Sequence, residues 1–262
     1  MNIDSWLALS AARTLHSALC VFRPLCAVSP SLSMSASPSS LRVLVVGASG
    51  GLGRHVLLQA LAAGHTVTAL VRSAAKLAEA LSAHPDALKS VRVVEASAED
   101  GAKVAEACKD QQALLVASHL VLLQVLPHAL SAGITRISAA AGAPILAWPA
   151  DGRLAWAGLE EASKANGAAG RDYRTMGEQH WANYTALAFA RGMQQFALAC
   201  PGYMTEQPLL SESLVESQAN TFIAHCNAKP FPYANCAQIM VQALREDFPF
   251  KNQRVAMSVK KQ

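Results

Sequence analysis

Short apolar runs alternate with helical periods along the body of this chain. Val43–Val46 is an unbroken, valine-rich run, as expected of a strand buried on both faces. Similar runs at His65–Val71, Ser90–Glu95, Ala113–Ala117, Ile134–Ser138, Phe196–Cys200 and Arg254–Ser258 predict further strands. Between them the pattern predicts helices over Arg54–Ala63, Arg72–Ala83, Asp100–Lys109, Val121–Ala132, Glu178–Arg191 and Asn235–Arg245. Gly133 is a C-terminal helix stop, His84-Pro85-Asp86 reads as a turn, and Pro201-Gly202 breaks the sixth strand. Strand and helix in strict alternation, joined by short connections, define an α/β chain with a doubly wound parallel sheet. Residues 142–172 contain Gly, Ala and Trp without a clear period.

The first strand runs directly into glycines. Leu41-Arg-Val-Leu-Val-Val-Gly-Ala-Ser-Gly-Gly-Leu-Gly53 is strand, tight turn and helix N-terminus in that order. Such a turn cradles a nucleotide pyrophosphate. Gly47 permits the sharp turn, Gly50 keeps a Cβ away from the phosphate, and Gly53 lets the helix pack closely on the strand. The free amides and positive dipole end of the helix then face the anion. The spacing Gly-x-x-Gly-x-x-Gly differs from the commoner Gly-x-Gly-x-x-Gly, so the flanking strand and helix carry much of the signal.

Composition narrows the class. The chain has 262 residues, 52% hydrophobic and 15% charged, which suits one large domain with an ample core. A net charge of +4, with scattered Lys and Arg, gives no nucleic-acid stripe. No apolar run reaches the ~18 residues of a membrane span. The six cysteines form no Cys-x-x-Cys pair, and no His/Cys group has metal-ligand spacing. They read as buried free thiols, and no metal is expected.

Residues 1–40 differ from the rest. They are rich in Ser and Ala, hold Arg13 and Arg23 against the single acid Asp4, and end in the linker-like Ser29–Ser40. Three readings stand open: a transit peptide, an extension preceding a start at Met34, or a disordered tail. The expected location is cytoplasmic, or mitochondrial if the leader is a transit peptide. The remaining residues, 41–262, form the expected dinucleotide domain.

The end of the second strand decides between dinucleotides. An acid there binds the ribose 2′-hydroxyl of NAD, whereas an arginine accommodates the 2′-phosphate of NADP. Here the strand ends Leu70-Val-Arg-Ser73, with Lys76 one turn on and no acid nearby. Arg72 offers a bidentate fork to phosphate, so NADP(H) is the expected cofactor.

Val45-Val-Gly-Ala-Ser-Gly-Gly-Leu-Gly-Arg54, Leu70–Ser73, Gly133-Ile-Thr-Arg-Ile137 and Cys200-Pro-Gly202 occur in an order that resembles the atypical short-chain dehydrogenase/reductases. The likeness is greatest to the NAD(P)H-binding, NmrA-like and flavin/biliverdin-reductase-like members, and it covers about residues 41–259. It implies a Rossmann-type domain with a small C-terminal substrate region in about 142–250. It also implies roles for residues. Gly47, Ser49, Gly50, Gly51, Leu52 and Gly53 would line the dinucleotide phosphates, and Arg72, with Ser73, would meet the 2′-phosphate. Ser97 falls where relatives often place an Asp near adenine. Ala117, Ser118 and His119 would lie along the nicotinamide ribose.

The chain departs from the superfamily at its proton-donor set of Ser, Tyr and Lys, with Tyr and Lys four apart. The Ser position falls at about Ala140 or Ala141, Tyr173 is followed by Gly177, and Tyr184 by Ala188. Cys200 stands where the family's Arg-Pro-Gly turn has Arg. His119 and Tyr173 are the remaining catalytic candidates, each weighed against an ordinary structural role. Tyr173 reads more simply as a loop residue, and His180 and Trp181 as packing. Cys200 could be a reactive thiol or an inert core residue, and Trp148 and Trp156 could stack on a flat acceptor or fill the core.

Two functions are compatible with these residues. One is an NADPH-dependent oxidoreductase passing hydride to a small flat or carbonyl-bearing acceptor, as a monomer or weak homo-oligomer. The other is a non-catalytic NADP(H)-binding redox sensor acting through a protein partner.

Overall fold

In the computed structural model, the valine-rich run opens the body as β1 (Arg42–Val46), and the helix after its glycine turn is α1 (Gly51–Ala62). The structure describes residues 40–147, 152–156, 158–159, 172–221, 223 and 230–260. The expected leader up to residue 39, together with Trp148 and Arg171, lies outside them.

The other elements follow in alternation. They are β2 (Thr66–Val71), α2 (Ala74–Ala80), α3 (Pro85–Lys89), β3 (Val91–Glu95), α4 (Gly101–Cys108) and β4 (Ala113–Val116). Next come α5 (Leu122–Ser131), β5 (Arg136–Ala140), α6 (Tyr173–Ala188), β6 (Gln195–Pro201), β7 (Met204–Thr205) and β8 (Val215–Ala219). The chain closes with β9 (Phe231–Pro232), α7 (Tyr233–Gln242) and β10 (Gln253–Val259). One sheet of eight strands has the order β3-β2-β1-β4-β5-β6-β10-β8, and only β8 runs antiparallel to its neighbour. This is the doubly wound order, in which the winding direction reverses between β1 and β4. The short β7 and β9 pair separately.

Both faces of the sheet are covered because its strands are apolar on both sides. Val43 and Val45 pack with Val56, Leu57 and Ala60 of α1 and Ala237 and Met240 of α7. Leu44 and Val46, pointing the other way, pack with Val104 of α4, Val125 of α5 and Leu187 of α6. Each fully buried Val or Leu contributes roughly 1.5–3 kcal/mol, so β1 is anchored from both sides.

Several boundaries differ from the sequence pattern, each for a local reason. The helix expected over Arg72–Ala83 is the shorter α2, because the Ser73 side chain accepts from the Lys76 amide and caps the helix there. Arg72 is left on the loop. The turn expected at His84-Pro85-Asp86 opens α3, since Pro85 presets the first helical φ. The helix expected to start at Glu178 starts at Tyr173, because Asp172 caps it by accepting from the Thr175 amide at 2.9 Å. Tyr173 is thus a helical residue and not a loop residue. The strand expected over Ile134–Ser138 lies two residues later, in register with β4 through Ala113 and Arg136. The polar sequence Val-Glu-Ser-Gln-Ala gave no strand signal, yet it forms β8 on the open edge of β10. Within the span 142–250, β6 and α7 belong to the main sheet layers.

Among the described glycines, the tightest approach is at the glycine turn. Gly47 has φ +82°, and a Cβ on Gly53 would lie 1.9 Å from the Gly47 carbonyl oxygen. Gly53→Ala is therefore expected to force α1 off β1 and destabilise the protein by at least about 1–3 kcal/mol, the usual cost of overpacking. Chemical denaturation would measure it; an unchanged midpoint would contradict the close approach.

Candidate functional site

The reversal of winding opens a crevice beyond the C-terminal ends of β1 and β4, and the glycine turn lies in it. A Cβ on Gly47 would contact Ser118 at 3.7 Å and Ala117 at 3.9 Å, so the turn after β1 rests on the turn after β4. The first intrahelical bond of α1 runs from the Arg54 amide to the Gly50 carbonyl at 3.0 Å. The amides of Gly51, Leu52 and Gly53 precede it and are available to a ligand. Gly50, the N-cap, supplies no side-chain cap, and the first turn of α1 has no acid. Both features suit an incoming anion. A Cβ on Gly50 would meet only the Gly47 oxygen, at 3.5 Å, so the helix itself does not require this glycine. A ligand close to the backbone would.

One flank of the turn is charged. Arg54 and His55, in the first turns of α1, both bind Glu206 beyond β7, His55 through Nε2 to Oε1 at 2.8 Å. Partial burial works to raise Glu206, but His55 and Arg54 outweigh it and hold the carboxyl below its usual range. Tyr233, at the start of α7, lies against Gly51 and stacks on His55 with ring centroids 6.3 Å apart. A cleft of about 600 Å³ on this side is lined by Ser49, Arg54, Lys76, Glu79, His84 and Glu206. Arg72 is exposed beside Ser73 and makes no ion pair among the described residues. Ser97 is exposed beyond β3, with its hydroxyl accepting from the Glu99 amide at 3.3 Å.

The other flank is nearly neutral. His119, in the turn after Ser118, meets His180 of α6 with ring centroids 4.5 Å apart and planes tilted by 52°. Asn183, one helical turn past His180, donates from Nδ2 to the His119 carbonyl at 2.8 Å. His180 is 2% exposed, reaches Gly142 beyond β5, and has no partner for Nδ1 among the described residues. Burial, and then the neighbouring His119, push His180 down to about 3. Burial also lowers His119. Leu120 and Leu123 border this flank, 60% and 47% exposed.

Packing blocks the lysine position of the superfamily's proton-donor set. A Cβ on Gly177 would already stand 2.9 Å from the Trp156 ring, so a lysine side chain has no room there. Trp156 also carries Arg174 over its face at 5.8 Å. Ala140 and Ala141 are buried at the end of β5. Tyr173 precedes His180 by seven residues on α6, about 10 Å along the helix axis, so it stands apart from the imidazole pair. Cys200 is buried within β6 and its thiol is pushed up by desolvation, which makes it an inert core group. The structure therefore gathers the glycine residues, Ala117, Ser118 and His119 into one crevice. It adds Glu206, Tyr233 and Asn183, which carried no signal in the sequence because their partners lie far away along the chain.

This crevice, glycine turn and sheet order define a Rossmann-type nucleotide-binding protein. The sequence profile of the NAD(P)H-binding family matches residues 47–177, and the chain belongs to that family. The match agrees with the resemblance to atypical short-chain dehydrogenase/reductases. No curated protein matches the chain by sequence. Among solved structures, one from Burkholderia pseudomallei described as an exported protein superposes with TM-score 0.63 at 19% identity, covering 83% of this chain and 99% of its own. A Veillonella parvula short-chain dehydrogenase/reductase in complex with NADP gives 0.63 at 11%, covering 84% and 95%. A Streptococcus pneumoniae protein described as an NADH-flavin reductase gives 0.60 at 15%, covering 84% and 100%. At these identities the likeness concerns the fold. Among the described residues, no group of three or more His, Cys, Asp or Glu could hold a metal, and no helix is long and apolar enough to cross a membrane.

The imidazole pair gives a pH signature. With its folded pKa lowered, His180 stays neutral in the native state while the unfolded chain takes up a proton below about pH 6.5. Stability is therefore complete above that pH and declines as pH falls toward 3, the folded value, by up to about 1.4 kcal/mol per pH unit. Urea unfolding of wild type and His180→Leu between pH 7 and 4 would measure this. The two slopes should diverge below pH 6.5, and parallel slopes would contradict a neutral buried His180.

Proposed function

We propose that this protein is an NADPH-dependent oxidoreductase acting on a small, flat or carbonyl-bearing acceptor. The observation that carries the reading is the placement of the glycine turn against Ala117 and Ser118 at the winding reversal, with the His119–His180 imidazole pair directly beyond. When bound, the reduced dinucleotide supplies hydride from nicotinamide C4. Gly47, Ser49, Gly50, Gly51, Leu52 and Gly53 would line its phosphates, Ser97 would lie near adenine, and Ala117 and Ser118 would lie along the nicotinamide ribose. Two neighbours of the same fold, one in complex with NADP and one described as an NADH-flavin reductase, support a nicotinamide dinucleotide as cofactor and a flat acceptor. Exposed Leu120 and Leu123 offer apolar surface to such an acceptor. The protein's own part is to orient the reactants and exclude water.

The preference for NADP over NAD rests on Arg72 at the end of β2, which is exposed, makes no ion pair among the described residues and stands beside Ser73, the cap of α2. Lys76, one turn on, lines the neighbouring cleft together with Arg54, Glu79 and Glu206. Arg72, with Lys76, would take the 2′-phosphate. A charge-assisted hydrogen bond contributes about 1.5–3 kcal/mol, so Arg72→Ala should weaken NADP binding about 10- to 100-fold and leave NAD binding unchanged. Calorimetry with both dinucleotides would measure this, and equal affinity of the wild type for the two would overturn the preference.

A second reading is favoured by one observation. Gly177 packed on Trp156, with Ala140 and Ala141 at the serine position, leaves the superfamily's proton donors out. On that reading the protein is an NADP(H)-binding redox sensor that signals through a protein partner. Incubation with NADPH and a panel of quinones, flavins and aldehydes, followed by loss of the reduced nicotinamide absorbance, separates the two. Turnover on any acceptor supports the enzyme; tight NADPH binding without turnover on all of them supports the sensor.

A further inference from the structure

We infer that His119, held by Asn183 and the buried ring of His180, is the proton donor to the carbonyl oxygen of the acceptor. This rests on the oxidoreductase reading above and assigns the proton-handling group that the missing Ser, Tyr and Lys leave vacant.

Three observations carry it. The first is position. Ser118 lies against the turn glycine Gly47, and His119 is the next residue, in the turn at the C-terminal end of β4. The C-terminal ends of the strands are where ligands bind in doubly wound sheets. The second is support. The His119 backbone is fixed by Asn183 at 2.8 Å, and its ring is backed at 4.5 Å by His180, which in turn lies against Gly142. Two consecutive turns of α6 thus hold one residue of the β4 turn. The third is cost. His180 is 2% exposed and its Nδ1 has no partner among the described residues. An unsatisfied buried polar atom costs about 1–3 kcal/mol, which a leucine at that position would avoid. Core packing alone does not account for two imidazoles here.

The chemistry balances with a neutral imidazole, the form that burial favours. A neutral ring has one N–H donor and one acceptor nitrogen. The acceptor carbon gains two electrons with the hydride, and its oxygen gains negative charge. His119 gives its N–H proton to that oxygen while its other nitrogen takes a proton from water. The ring ends neutral in the opposite tautomer, and hydroxide is left in solvent. His119 is half-buried, so one side of the ring can face water.

The test uses the full-length protein with NADPH and 1,4-naphthoquinone or benzaldehyde. His119→Ala should lower kcat by about 10²–10⁴-fold, the usual contribution of a positioned acid, while NADPH affinity stays at the wild-type level. That unchanged affinity also shows that the variant folds. Asn183→Ala, which loses one hydrogen bond, should lower kcat about five-fold and leave the KM for NADPH unchanged. A second readout needs no turnover. The ring nitrogen resonances of His119 should shift when benzaldehyde is added to the protein with NADP in its oxidised form.

If the wild type turns over and His119→Ala keeps its kcat, this inference fails while the oxidoreductase reading stands. If the wild type turns over no acceptor, the oxidoreductase reading fails, and the resonances then decide. A shift supports the hydrogen bond from His119 to the carbonyl, and unmoved resonances overturn it.

Discussion

The contact between Gly53 and the carbonyl of Gly47 is the constraint on which the rest of this protein depends. It brings the first turn of α1 within backbone distance of the end of β1, closer than any Cβ permits. Because β1 is packed from both faces, that approach fixes α1 relative to the whole sheet. The unpaired amides of the helix are then held in the crevice between β1 and β4. The anion-binding end is rigid because of core packing and needs no capping side chain of its own.

Charge is distributed unevenly around this crevice, and the unevenness has a physical origin. On the α1 and α2 side, Arg54 and Lys76 carry charge, Glu206 binds both Arg54 and His55, and all of these groups reach solvent. On the α6 side the groups are enclosed, and burial leaves His119 and His180 neutral. A dinucleotide lying across the crevice would place its phosphates toward the charged side and its uncharged ring toward the neutral one.

The missing proton-donor set is a packing outcome as well as a sequence fact. Trp156 occupies the volume a lysine would need at position 177, and Arg174 lies over the same ring. The early start of α6, set by the Asp172 cap, brings Tyr173 onto the helix but two turns from the imidazoles. The same helix delivers His180 and Asn183 to His119, so one packing arrangement removes one set of polar groups from the crevice and installs another.

The alternation of apolar runs with helical periods determined the doubly wound sheet, and the three glycines between a strand and a helix determined the nucleotide turn. Both signals are local, since each rests on side-chain periodicity or on backbone freedom within a few residues. Arg72 and the absent Tyr-x-x-x-Lys were equally legible. Tertiary structure alone decided what requires residues far apart in the chain. It placed the polar segment 215–219 on the edge of β10, because an open edge supplies the hydrogen bonds its sequence does not advertise. It brought Glu206 to Arg54 across about 150 positions and His180 to His119 across about 60. Nothing in the neighbourhood of either histidine announces the other, because their contact is made by the packing of α6 against the sheet and not by spacing along the chain.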